Sequence, residues 1–184
     1  QSRTLRYYPE SVACHVLGYI GEVNEDMIAK NPYYKKGDYI GMSGLEKSYE
    51  EILRGKKGSK ITMVDVHNRE KGSFKDGIYD TAAISGKNLY STIDIELQKY
   101  AEALMKNKRG CIVAIEPSTG EVLCFVSAPY YDPNLLVGRV RGKNYKALAE
   151  DISKPLFNRV LMAEYPPGSI FKIAQALIAL DMGV

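Results

Sequence analysis

The sequence predicts an α+β chain in two parts, divided near residues 85–88. Three observations predict it. Residues 95–107 repeat apolar side chains at helical spacing, with Leu97, Tyr100, Ala101, Leu104 and Met105 on one stripe. Residues 111–116 (CIVAIE) and 121–128 (EVLCFVSA) are apolar runs on either side of Pro117-Ser118-Thr119-Gly120, the pattern of a β-hairpin. Before Ser85-Gly86-Lys87-Asn88 the chain reads differently, as short Tyr- and Gly-rich stretches around one helix and one strand. A length of 184 residues suits one ordinary domain or two small ones.

In chain order, residues 15–21 (HVLGYIG) read as a short strand or turn, and residues 24–30 (NEDMIAK) as one or two helical turns. Asn31-Pro32 and Lys35-Lys36-Gly37-Asp38 are loop signals. Ser43, with Glu46 three residues on, has the form of a capping box. The helix it opens carries Leu45, Tyr49, Ile52 and Leu53 on one face and stops at Gly55. Residues 60–67 (KITMVDVH) are β-branched and read as a strand, and residues 68–77 as a hairpin connection or exposed loop. Residues 89–93 are extended, and Ser91 with Asp94 is a second capping-box candidate. After the hairpin, residues 129–134 form a loop, residues 139–145 are polar and exposed, and residues 155–164 are a short helix or an irregular segment.

Composition excludes several classes of function. Hydrophobic residues make up 45% and charged residues 26%, as in ordinary globular proteins. The net charge of +3 comes without a basic cluster, which argues against nucleic acid as a partner. The longest apolar run, residues 173–180, is interrupted by Gln175 and is far short of the roughly 18 residues that span a bilayer. The three cysteines, Cys14, Cys111 and Cys124, have no CxxC spacing, and His15 and His67 stand far apart in sequence. Neither a metal site nor a cofactor is therefore expected. Cys111 and Cys124 flank the hairpin turn and are read either as buried apolar residues or as a facing pair.

The chemistry centres on Ser169 and Lys172, in the run Tyr165-Pro166-Pro167-Gly168-Ser169-Ile170-Phe171-Lys172. Two prolines force an extended entry, and Gly168 permits a sharp turn. From Ser169 to Leu180 the residues are helix-compatible and almost all apolar, so a buried helix is expected with Ser169 in its first turn. A serine hydroxyl is a weak nucleophile until a base takes its proton. Lys172, three residues on, shares its side of the helix. An amine in an apolar setting is pushed toward its neutral form, and Lys172 would then accept the Ser169 proton. The helix N-terminus would place backbone N–H groups and a partial positive charge beside the reacting oxygen.

Residues 165–172 resemble the active-serine motif of the penicillin-binding proteins. Thr92-Ile93-Asp94 with Leu97-Gln98 resembles the segment that opens their transpeptidase domain, and residues 111–134 are similar to that domain's first hairpin and the loop after it. Pro155-Leu156-Phe157-Asn158-Arg159 resembles the segment before the active helix. Residues 41–58 and His15-Val16-Leu17-Gly18-Tyr19 resemble the non-catalytic pedestal of class B members, and Pro166 beside Pro167 leans toward the elongation type. On this resemblance, residues 1–86 are part of a pedestal, or dimerisation-type, domain. Residues 87–184 are then the N-terminal part of a penicillin-binding or serine β-lactamase-like transpeptidase domain.

The resemblance implies a peptidoglycan D,D-transpeptidase. Ser169 is its nucleophile and Lys172 its general base, and the Ser169 backbone N–H is half of the oxyanion hole. Its partners would be peptidoglycan stem peptides, β-lactams, a membrane glycosyltransferase and proteins of the elongation complex. It would work on the extracytoplasmic, periplasmic side of the cytoplasmic membrane, tethered by an anchor outside these residues. The family also needs a Ser-x-Asn motif and a Lys-Thr/Ser-Gly strand downstream, so the 184 residues alone are expected to be inactive. The alternatives are a serine β-lactamase or β-lactam sensor, against which the pedestal-like stretch argues, and a non-catalytic module that docks a glycosyltransferase.

Overall fold

The computed structural model describes residue 8 and residues 10–183. The first part runs through α1 (Cys14–Leu17), β1 (Ile20–Glu22), α2 (Glu25–Lys30), β2 (Tyr39–Gly41), α3 (Gly44–Ser48) and α4 (Glu50–Leu53) to β3 (Thr62–Val64) and β4 (Glu70–Ser73). The second part contains α5 (Ile95–Leu104), β5 (Gly110–Ile115), β6 (Val122–Ala128), α6 (Arg141–Glu150), α7 (Arg159–Met162) and α8 (Phe171–Met182). The described strands form three antiparallel pairs: β1 with β2, β3 with β4, and β5 with β6.

Short polar side chains start the helices by taking otherwise unpaired N–H groups. Asn24 caps α2 by accepting from the Met27 N–H at 2.8 Å. Asp94 caps α5, accepting from the N–H groups of Glu96 and Leu97 at 2.9 and 3.0 Å. Ser91, read as the capping partner, instead accepts from the Ile93 N–H in a local turn. α5 ends at Leu104, and Asn107 follows in the left-handed region with φ 60°.

The capping box expected at Ser43 does not form, because the Ser43 side chain makes no capping bond. Glu46 turns inward, where its Oε1 accepts from the Tyr8 hydroxyl at 3.5 Å. The single helix expected over residues 43–55 is broken at Tyr49, which takes φ −115° and ψ 22°. The break lets Glu50 turn toward β2, where its carboxylate accepts from the Gly41 N–H at 2.8 Å and from the Tyr34 hydroxyl at 3.1 Å. α3 also lies against α1 at backbone distance. A Cβ on Gly44 would sit 2.5 Å from the Val16 carbonyl oxygen, and one on Gly18 would sit 2.0 Å from that of Ser43.

Two small cores hold the molecule. In one, α5 covers the hairpin through Ala101, Cys124 and Val126, flanked by Met105, Ile112 and Ala114. The other joins the two parts of the chain, as Cys14 of α1 packs with Tyr131 and Leu136, and Tyr19, Tyr130, Leu148 and Leu156 close around them. α6 occupies residues that include the polar stretch read as exposed, and Arg141, Asn144 and Leu148 make its half-buried stripe.

The β5–β6 register sets Cys111 opposite Ser127 and Cys124 opposite Ala114. Successive side chains alternate faces, so Cys124 points into the core while Cys111 points out. The two do not face each other, and all three cysteines are free.

The expectation of a buried active helix is also corrected. α8 forms, but it has no buried residue, and Ile173, Leu177 and Leu180 are 69%, 63% and 75% exposed. Its main contacts are with the turn at Gly168–Ile170. Among the described residues, no helix is long and apolar enough to cross a membrane.

Candidate active site

The candidate nucleophile is delivered by a strap, residues 151–158, that leads into α7. Arg159, 4% exposed, gathers this strap through backbone carbonyls. Its guanidinium donates to the carbonyl oxygens of Ser153 at 2.7 Å, Lys154 at 3.1 Å and Phe157 at 3.3 Å. Charge-assisted bonds to several carbonyl dipoles offset the cost of burying the charge. The Arg159 N–H donates to Ser127 Oγ at 2.9 Å, and the Ser127 hydroxyl donates to the Phe157 carbonyl at 3.2 Å. The strap is thereby fixed to the end of β6, on the face opposite Cys124 and Val126. Asn158 caps α7 by accepting from the Leu161 N–H.

From α7 the chain runs without regular structure to Pro167. Gly168 then takes φ 59°, a left-handed conformation that an L side chain resists. A 3-10 turn at Gly168–Ile170 holds Ser169, and α8 follows directly. Ser169 is thus the middle residue of the turn and Lys172 the second residue of α8, three positions apart on one right-handed run. As a first-turn residue, Ser169 has no intrahelical partner for its N–H, and the positive end of α8 lies beside it. Both side chains are exposed. The described residues supply the pair and its helix but not the apolar enclosure expected around the lysine.

Sequence reasoning missed the support behind the site. His15 had no assigned role, yet it is buried, and its Nε2 lies 2.8 Å from the Pro155 carbonyl oxygen. Its Nδ1 lies 3.3 Å from Cys14 Sγ. Burial lowers the His15 pKa, and burial pushes the Cys14 thiol up to about 12. Around the same joint Ala13 N–H donates to Glu102 at 2.8 Å, and Tyr8 and Asn134 exchange two bonds, at 2.9 and 3.1 Å. Apart from the adjacent Cys14–His15 pair, no local spacing announces these contacts, because their partners lie 89 to 140 positions away.

A pedestal-like part packed on a hairpin core, with a Pro-Pro-Gly-Ser-x-x-Lys turn leading into a helix, is the architecture of an active-serine acyl-transfer protein. The chain belongs to the penicillin-binding proteins: residues 1–91 match the penicillin-binding protein dimerisation domain and residues 110–184 the penicillin-binding protein transpeptidase domain. Within that family its likeness is to penicillin-binding protein 2, the elongation type expected from the prolines. It is 37% identical, over all of its length, to the peptidoglycan D,D-transpeptidase MrdA of Acinetobacter baumannii. It superimposes on Pseudomonas aeruginosa PBP2, solved in complex with WCK 5153, with a TM-score of 0.77 and 39% identity, over 97% of this chain and 36% of that one. With Helicobacter pylori PBP2, solved in complex with MreC, the TM-score is 0.79 and the identity 35%, over 95% of this chain and 32% of that one. The chain spans 27% of the length of the MrdA relative.

Proposed function

We propose that this chain is the nucleophile-bearing part of a peptidoglycan D,D-transpeptidase. The observation that carries the reading is Ser169 in a turn set by left-handed Gly168, with Lys172 one helical step away, inside the stretch that matches the transpeptidase domain. Lys172 takes the hydroxyl proton as Ser169 Oγ bonds to the penultimate D-Ala carbonyl carbon of a stem peptide. The Ser169 N–H donates to the developing oxyanion. The C–N bond then breaks, the proton passes to the departing D-Ala amine, and an ester to Ser169 remains. An amine of a neighbouring strand attacks that ester, releases the serine and leaves a cross-link.

Residues 1–86 act as the pedestal and residues 87–184 as the start of the catalytic domain. The likeness to a penicillin-binding protein 2 solved with MreC supports an elongation-complex partner for the pedestal half. A membrane glycosyltransferase and β-lactams are further partners on this reading, and the working site is the periplasmic face of the cytoplasmic membrane.

The test is acylation of the full-length protein by a fluorescent penicillin. Ser169→Ala is expected to abolish labelling, and Lys172→Ala to slow it by at least about a hundredfold, the scale of general-base catalysis. A long-lived adduct supports the transpeptidase, whereas rapid deacylation would identify a β-lactamase instead. Labelling that survives Ser169→Ala would overturn the assignment.

A further inference from the structure

We propose that His15 is a positioning residue for acyl transfer at Ser169: by holding the Pro155 carbonyl it fixes, from the first half of the chain, the strap that carries α7 and the nucleophile turn. The proposal rests on the acyl-transfer reading given above.

The bonding of His15 follows from the chemistry of its neighbours. A proline carbonyl only accepts, so Nε2 must carry the proton across the 2.8 Å contact. Nδ1 is then the acceptor, and the Cys14 thiol, kept protonated by burial, donates to it at 3.3 Å. The ring of Tyr131 stands edge-on to the imidazole with centroids 5.6 Å apart, so the orientation is fixed by packing as well as by hydrogen bonds. His15 lies in α1, whose Cys14 is part of the core that joins the two halves.

The strap that His15 holds is fixed on its other sides too. Arg159 binds three of its carbonyls, Ser127 ties it to β6, and Arg109 donates to the carbonyls of Ile152 and Ser153 at 3.1 and 3.2 Å. Those anchors all come from the second half of the chain. Among the described residues, the His15 bond is the hydrogen bond that brings the first half to the strap, 140 positions away in sequence, beside the apolar packing of Leu156 on the Cys14 core. Downstream of the strap, α7 packs against β5 and β6, its Arg159 carbonyl accepts from the Ala163 N–H at 3.3 Å, and residues 163–167 lead from there to the turn that holds Ser169. The strap and α7 together set where that run starts, so a shift of the strap displaces the start of the segment that carries Ser169, and displacement of a reacting group by about 1 Å can cost on the order of a hundredfold in rate.

The experiment follows acylation of Ser169 by fluorescent penicillin in the full-length protein, separating the acylation rate constant from the binding constant, with melting temperatures measured alongside. His15→Gln keeps a donor at the ε position and is expected to stay within about threefold of wild type, while His15→Asn is too short and is expected to slow acylation by about tenfold or more with binding unchanged. His15→Met, close to Gln in length but without a donor, is expected to behave like His15→Asn and provides a second comparison should one variant not fold. Lys99→Ala removes the Lys99–Glu10 ion pair without touching the strap and is expected to acylate normally. Donor-less variants that acylate like wild type would overturn the proposal, as would equal losses in Lys99→Ala and His15→Asn. No labelling of wild-type Ser169 would overturn the acyl-transfer reading, and this proposal with it.

Discussion

The side-chain amide of Gln98 pairs with the backbone of Phe125 in both directions, donating to its carbonyl oxygen at 2.9 Å and accepting from its N–H at 2.8 Å. β6 pairs with β5 along one edge only, and Gln98 stands where a further strand would be on the other. The amide's second proton reaches Glu102 at 2.8 Å, and Glu102 accepts from the Ala13 N–H, so Gln98 and Glu102 together link α5, β6 and the start of α1.

Gln98→Leu is close in size to this fully buried residue and deletes its three bonds, two to Phe125 and one to Glu102. Phe125 loses both partners at once, and each buried polar group left without one costs about 1–3 kcal/mol. The expected loss is about 2–4 kcal/mol in urea unfolding, with Gln98→Glu also destabilising because a carboxylate cannot donate to the Phe125 carbonyl. A Leu variant as stable as wild type would show that the edge pairing contributes nothing net.

The cysteines differ in reactivity for reasons visible in their surroundings. Burial raises the pKa of Cys14 to about 12 and also raises that of Cys124, so neither offers thiolate near neutrality, while Cys111 lies on the outer face of β5. One thiol of three is expected to alkylate readily at pH 8 in the native protein, and all three after unfolding in urea. Peptide mapping that finds Cys14 or Cys124 modified before Cys111 would contradict this burial.

His15 makes stability depend on pH. Burial lowers its pKa below the ordinary 6.5, the charge of Arg159 acts in the same direction, and the Pro155 carbonyl opposes both. Between the two values the unfolded chain binds the proton and the folded one does not, so stability rises with pH there. The contribution is complete above pH 6.5 and is lost as pH falls toward the lowered folded value. Melting temperature is expected to fall more steeply between pH 7 and pH 5 in wild type than in His15→Gln, which has no imidazole to titrate. Parallel slopes would mean that His15 is already protonated or solvated in the fold.

The elements that were legible in the sequence are those whose signal is local. The stripe of Leu97, Tyr100 and Ala101, the Pro117–Gly120 turn and Gly168 each encode their own conformation, and the structure has α5, the β5–β6 hairpin and the left-handed turn in those places. α6 was not legible, because Arg141 and Asn144 occupy its contact face. They make polar bonds, Arg141 to the Ile20 carbonyl at 3.4 Å and Asn144 to that of Leu135 at 2.8 Å, where a periodicity reading looks for apolar side chains. The Ser43–Glu46 spacing misled because Glu46 is drawn inward to Tyr8, a tertiary partner that outweighs a local cap. In the candidate site, Ser169 and Lys172 were readable as a pair three apart, whereas the His15–Pro155–Arg159 support depends on long-range contacts with no spacing rule. The apolar run of α8 correctly marked a helix, but burial depends on what packs against it, which no property of the run itself can state.

Gly44 and Gly168 both take positive φ, at 58° and 59°, yet alanine should affect them differently. At Gly168 a Cβ would meet nothing within 4 Å, so the only cost is the left-handed backbone, about 1–2 kcal/mol. At Gly44 the same backbone cost is joined by overlap with three backbone atoms, the Val16 carbonyl oxygen at 2.5 Å and the Gly18 N and Cα at 2.6 and 2.8 Å. Backbone cannot rotate out of the way as a side chain can, so α3 must move off α1, and the loss should exceed about 3 kcal/mol. Because α1 also carries Cys14 and His15, that movement would disturb the joint with the second half, and Gly44→Ala should slow penicillin acylation at Ser169 although it lies in the pedestal half. Equal stability losses in the two variants would show that backbone strain alone accounts for both, and that α1 and α3 are not in the close contact described.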